Sequence, residues 1–110
     1  MTASHLEDTV FKALAAPVRR AILDALKKGP KTTGALCDSF RSLDRCTVMQ
    51  HLKVLEGADL VIFRREGRER WNHLNPLPIK AIHDRWIGAY AADAVNLLAR
   101  MKSELEGPLS

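Results

Sequence analysis

Apolar positions follow helical spacing through most of this chain and depart from it in one stretch. Leu6, Val10, Phe11 and Leu14 form a short stripe, too short to stand as an isolated helix, so it must pack on something. Pro17 then opens a second helix, PVRRAILDALKK, with Val18, Ile22, Leu23 and Leu26 inward. Proline suits a first helical turn because its missing N–H has no helical partner there. Ala16 before it cannot cap, which costs about 1 kcal/mol against a good cap. Gly29-Pro30 ends this helix. Lys31 to Phe40 reads as a shorter third helix, capped by Thr32 or Thr33, with Leu36 and Phe40 as its buried pair. Arg41-Ser42-Leu43 is a turn, and Asp44 caps a fourth helix over 44–57 whose inner face is Val48, Leu52 and Leu55.

Helical spacing stops at Leu60. Residues 60–74, LVIFRREGRERWNHL, read as two strands about a tip at Arg65-Glu66-Gly67-Arg68, with Gly67 supplying a positive φ. Asn75 then caps a last helix over about 76–106, with Pro76 in its first turn. Ile79, Ile82, Trp86, Tyr90, Ala94, Leu97, Met101 and Leu105 continue at three- or four-residue spacing along it. Such a stripe extends to about 40 Å, more than a small domain needs for its own core, and calls for a partner surface; Gly88 is the position where it could kink or let another backbone approach closely. The whole is mainly α with a small β-hairpin: a single domain over 1–110 with about five helices and a two-stranded antiparallel wing.

The outward positions of the fourth helix give the first indication of function. At about 100° per residue, Cys46, Met49, Gln50 and Lys53 point away from the inner face. A solvated helix more often carries Glu/Lys pairs there. A helix that enters the DNA major groove uses short polar or amide groups that reach base edges, with cations at its margins. On this stretch alone an ordinary amphipathic helix accounts for the pattern equally well. The hairpin changes the balance: Arg64, Arg65, Arg68 and Arg70 stand there against Glu66 and Glu69, which is how a wing that reaches phosphates is built. Composition agrees. The chain has 17 Lys+Arg against 13 Asp+Glu, a net charge of +4, which favours an anionic partner. Hydrophobic residues make up 46% and aromatic ones only 5%, so the core is aliphatic. No run is long enough to cross a bilayer and there is no signal peptide; with two cysteines, the expectation is a cytoplasmic protein with reduced thiols.

In combination the segments FKALAAPVRRAILDAL, TVMQHLKVLEGADLV and REGRERWNHLNP resemble the ArsR-type (ArsR/SmtB) family of dimeric winged-helix repressors. The resemblance runs from about residue 10 to residue 78. It implies a homodimer, with the first and last helices at the interface, that binds an inverted-repeat operator in double-stranded DNA. Carried over, Arg45, Cys46, Thr47, Met49 and Gln50 face bases, while Lys53, Thr32, Thr33 and the wing residues Arg65, Arg68 and Arg70 hold phosphates. The interface takes Leu6, Val10, Ile82, Trp86, Tyr90, Leu97 and Met101. His51 falls near the buried side and is expected to support the helix. Asp59 replaces the family's usual glycine after the recognition helix; aspartate tolerates the left-handed conformation better than most residues.

The metal-responsive branches carry Cys-x-Cys in the third helix or an Asp/His set along the last one. Here the third helix has Cys37 and Asp38 only, and the last has His83-Asp84 without a matching set further on, so no metal and no other cofactor is expected. No nucleophile–base set, phosphate loop or carboxylate pair suggests an enzyme. Two alternatives stay open: a winged-helix module for protein contact, suited by the soft side chains Cys46 and Met49, and a thiol-based redox-sensing repressor using Cys46 and Cys37. The sequence leaves the effector unknown.

Overall fold

The computed structural model describes residues 3–88 and 92–107. The chain divides into two compact units, 1–79 and 80–110. In the first, α1 (Ala3–Leu14), α2 (Pro17–Lys27), α3 (Thr33–Ser39) and α4 (Arg45–Gly57) surround an aliphatic core. Ile22, Leu26, Leu36, Val48, Leu52, Leu55 and Leu60 are all buried. Each such side chain contributes about 1.5–3 kcal/mol relative to exposure. Val18 and Phe40, expected inside, are only half-buried. Phe40 is the C-cap of α3, its amide bonded to the Leu36 carbonyl, so it stands at the helix end and is only partly covered.

The third helix starts later than its sequence suggests because Lys31–Thr32 is a strand, β1. β1 pairs antiparallel with β3 (Glu69–Leu74), which in turn pairs with β2 (Val61–Glu66), giving the order β1-β3-β2. The wing is thus two strands of a three-stranded sheet. Asn72 explains why so short a strand holds. Fully buried on β3, its amide nitrogen donates to the Lys31 carbonyl at 3.2 Å and to the Thr33 hydroxyl at 3.1 Å. Thr32 caps α3 one residue earlier, its hydroxyl accepting from the Ala35 amide at 3.1 Å. The sheet and the helix-turn-helix are therefore joined at the point where α3 begins.

Arg19 joins three helices. Its Nε donates to the Ala13 carbonyl at 2.7 Å and a terminal nitrogen to the Lys12 carbonyl at 3.0 Å, both in the last turn of α1, where Lys12 also accepts from the Ala15 amide. Its other terminal nitrogen lies 3.2 Å from His51 Nδ1 on α4. Arginine has only donors, so Nδ1 is the accepting side of this contact. The supporting role expected of His51 is what the structure gives it. Arg20 adds a bond to the Leu14 carbonyl at 2.6 Å.

After α4 the chain reverses at Asp59, whose φ is +61°; aspartate does hold the left-handed turn. Asn75 locks it: its amide nitrogen donates to the Asp59 carbonyl at 2.8 Å and its amide oxygen accepts from Leu77 N–H at 3.2 Å. The same side chain thereby caps α5 (Leu77–Trp86).

The continuous last helix expected from the apolar spacing is instead two helices, α5 and α6 (Ala92–Glu106). The amides of Ile87 and Gly88 both donate to the His83 carbonyl, at 2.7 and 3.0 Å, which closes α5. A Cβ on Gly88 would stand 2.8 Å from Asp84 Cα, so this closure needs glycine. No helix among the described residues is long and apolar enough to cross a membrane.

Replacing Asn72 by Ala removes its side-chain bonds to the Lys31 carbonyl on β1 and to the Thr33 hydroxyl on α3, and leaves a small void. The expected loss is about 1–3 kcal/mol, read as a lower urea midpoint at unchanged slope. An unchanged midpoint would show that β1 is held by other means.

Candidate nucleic-acid interface

The outer face of α4 is defined by its cap and its core contacts. Asp44 Oδ1 accepts from the Thr47 amide at 2.7 Å, which fixes the first turn. That hydrogen bond holds the Asp44 carboxyl below its ordinary pKa. With Val48, Leu52 and Leu55 buried, Arg45, Cys46, Met49, Gln50 and Lys53 are all exposed. Thr47 is half-buried beside them.

The wing stands next to this face. β2 and β3 pair from Val61↔Leu74 to Glu66↔Glu69, with Gly67 and Arg68 as the connection. Gly67 has φ +63° and Arg68 an ordinary negative φ, the sign pattern of a II′ turn. Arg64, Arg65 and Arg68 are exposed; Arg64 makes a loose surface contact with Glu66 at 3.8 Å. A groove of about 600 Å³ between wing and helices is lined by Thr32, Arg45, Met49, Arg65, Arg68 and Arg70, among others. Asp38 and Glu69 also line it, so cations outnumber anions there. A smaller hollow of about 280 Å³ adjoins Gln50, Lys53, Glu56 and Arg70. Of the expected residues, Thr32, Arg45, Met49, Arg65 and Arg68 thus share the groove, Gln50 and Lys53 line the adjoining hollow, and Cys46 and Thr47 line neither.

Two expected phosphate contacts are turned inward. Thr33 is 7% exposed and its hydroxyl is occupied by Asn72. Arg70 has about a quarter of its side chain exposed; it ion-pairs with Glu56 on α4 and lies over the Phe63 ring at 4.0 Å. Burial lowers its pKa from the usual arginine value. Register explains why Arg70 needs a counter-charge: it sits directly opposite Arg65. Sequence reasoning misses Glu56, since helical spacing says nothing of a partner on a strand.

Of the residues expected at a dimer interface, Val10 is instead buried within the chain at 5% exposure. Leu6, Trp86, Leu97 and Met101 are exposed, Ile82 is half-buried, and Tyr90 lies outside the described residues. Both cysteines are free thiols, Cys46 exposed and Cys37 half-buried. Among the described residues no three His, Cys, Asp or Glu side chains stand together where they could hold a metal ion.

A capped recognition helix beside a basic hairpin defines the winged helix-turn-helix class. Comparison with known proteins narrows it. A family model described as a helix-turn-helix domain matches residues 14–62. The transcriptional repressor SdpR of Bacillus subtilis is 35% identical over 68 residues, 62% of this chain and 74% of that one. The HTH-type transcriptional regulator Rv2034 of Mycobacterium tuberculosis is 38% identical over 82 residues, covering 74% and 76%. The crystal structure of an ArsR family transcriptional regulator superimposes with a TM-score of 0.69 at 25% identity, covering 98% of each chain. The chain belongs to the ArsR-type family of winged-helix transcriptional regulators.

The Asp44 cap gives α4 a pH dependence of known sign. Because the folded pKa is depressed, the cap is intact above the ordinary carboxylate range and is lost as pH falls through the lowered value. Amide exchange at Thr47, compared between the unmodified chain and Asp44→Asn, should show acid loss of protection only in the former. Equal behaviour of the two would remove the carboxylate from the cap.

Proposed function

We propose that this DNA-binding transcriptional regulator acts as a cytoplasmic homodimeric repressor on an inverted-repeat operator. The observation that carries the reading is the shared basic groove between α4 and the wing. In this reading α4 lies in the major groove. Arg45, Cys46, Thr47, Met49 and Gln50 meet base edges, and Lys53, Thr32, Arg65 and Arg68 meet phosphates. Thr33 and Arg70 support the surface from beneath.

Dimerisation is supported by apolar surface that the chain leaves uncovered. On α6, Leu97, Leu98, Met101 and Leu105 recur at helical spacing and are all exposed; Leu6 on α1 is 56% exposed. An apolar stripe of this kind is stabilised by a second copy, and a two-fold dimer matches a palindromic site. Leu97→Glu together with Met101→Glu should shift sedimentation from dimer to monomer. A chain that is monomeric without the substitutions would remove this part of the reading.

Two substitutions separate reading from holding. Gln50→Ala should cost about 1–3 kcal/mol at one base position if the amide contacts adenine. Arg68→Ala should weaken binding to every duplex by a similar factor and lower the salt slope by about one unit. Gel shifts at several salt concentrations measure both. Uniform loss from Gln50→Ala, or sequence-selective loss from Arg68→Ala, would reverse the assignments.

A further inference from the structure

The geometry points to Glu56, Arg70 and Phe63 as a lock that fixes the wing's angle to the recognition helix, with Arg70 a positioning residue rather than a phosphate contact. Glu56 lies in the last turn of α4 and Arg70 on β3, so their ion pair spans the two elements that meet DNA. Both side chains are only about a quarter exposed, where a charge pair is screened less than at the surface. Phe63, on β2, lies under the guanidinium plane, so the group is held from two sides: the carboxylate sets its reach and the ring its tilt. The consequence is geometric. Arg65 faces Arg70 across the ladder and Arg68 is at the tip, both carried by the same hairpin. With the lock closed, these two cations and the outer face of α4 present themselves to one duplex without first being brought into register. Without it the hairpin is tied to the helix-turn-helix through β1, the buried Asn72 and the buried Val61 at the base of β2.

This inference rests on the DNA-binding reading, and it makes a prediction opposite in sign to simple electrostatics. Glu56→Gln removes a negative charge beside the groove and leaves Arg70 available, so charge alone would tighten binding to any DNA. The lock requires that binding to a preferred duplex weaken while binding to random duplex stays level or rises. Arg70→Lys keeps the charge and loses the planar fork, and should weaken preferred binding in the same way.

The test uses the full chain, a duplex selected by it from a random-sequence pool, and a random duplex. In the Glu56→Gln background, the further effect of Arg68→Ala should shrink by about threefold or more, since a detached wing no longer holds its phosphate. The salt slope of Glu56→Gln should fall by about one unit for each phosphate that the wing no longer reaches. Independent, additive effects of Glu56→Gln and Arg68→Ala, or tighter binding of Glu56→Gln to the selected duplex, would overturn the proposal. A DNA-free measurement examines the lock directly. In the proton NMR spectrum the Arg70 side chain should show ring-current shifts from Phe63, lost in Phe63→Leu and reduced in Glu56→Gln. Arg70 signals averaged like those of exposed arginines would also overturn it. If the unmodified chain binds no duplex, the DNA-binding reading fails and the positioning role falls with it. The spectrum still decides whether the lock exists.

Discussion

A guanidinium has five donors and no acceptor, so where it is partly buried its surroundings must supply oxygen or unprotonated nitrogen on several sides. Arg19 finds them on two helices while standing on a third: the Lys12 and Ala13 carbonyls at the end of α1 and His51 Nδ1 on α4. Burial of Val48, Leu52 and Leu55 sets which face of α4 turns inward. The Arg19 fork adds directional bonds to that packing and ties α4 to the end of α1 through His51. The outward face of α4 is therefore held partly by a side chain that is not part of it.

The rest of the interface follows from how α4 is bounded. Its start is fixed by the Asp44 carboxylate on the Thr47 amide, and its end by the left-handed residue Asp59. Between them the inner face is wholly aliphatic and the outer face carries no carboxylate before Glu56. Glu56 marks where the helix stops facing the groove and starts facing the wing. The basic surface is thus assembled by two different means. Exposed cations are placed by backbone geometry, whereas the one inward cation, Arg70, is placed by a counter-charge and a ring.

Much of this is legible from the residues. The Asp44 cap, the inward set Val48, Leu52 and Leu55, the positive φ of Gly67 and the capping role of Asn75 all rest on local chemistry with few alternatives, and each is found. What escapes has a common physical cause. β1 is two residues long, too short for any period, and forms by pairing with β3, far along the chain, where Asn72 adds a side-chain bond to it. The break after Trp86 escapes because apolar residues keep their spacing on both sides of it, so periodicity alone cannot register the interruption; Gly88 is the one local sign. Val10 has the same apolar character and spacing whether it meets its own core or another chain. Arg70 resembles its neighbours in the sequence because a charge does not announce its partner.

Asn75 has a mechanical meaning beyond its capping. One planar amide grips the Asp59 carbonyl, where α4 has just ended, and the Leu77 amide, where α5 begins. The two bonds come from opposite corners of a rigid group, so a tilt of the first turn of α5 turns that plane and pulls on the backbone at Asp59. The residue being pulled is already in a conformation that costs a non-glycine residue roughly 1–2 kcal/mol. The fold has therefore placed a stiff lever across a left-handed joint, and a displacement at the start of α5 reaches the end of α4 through the Asn75 amide, beside the backbone bond from Asn75 N–H to the Leu60 carbonyl.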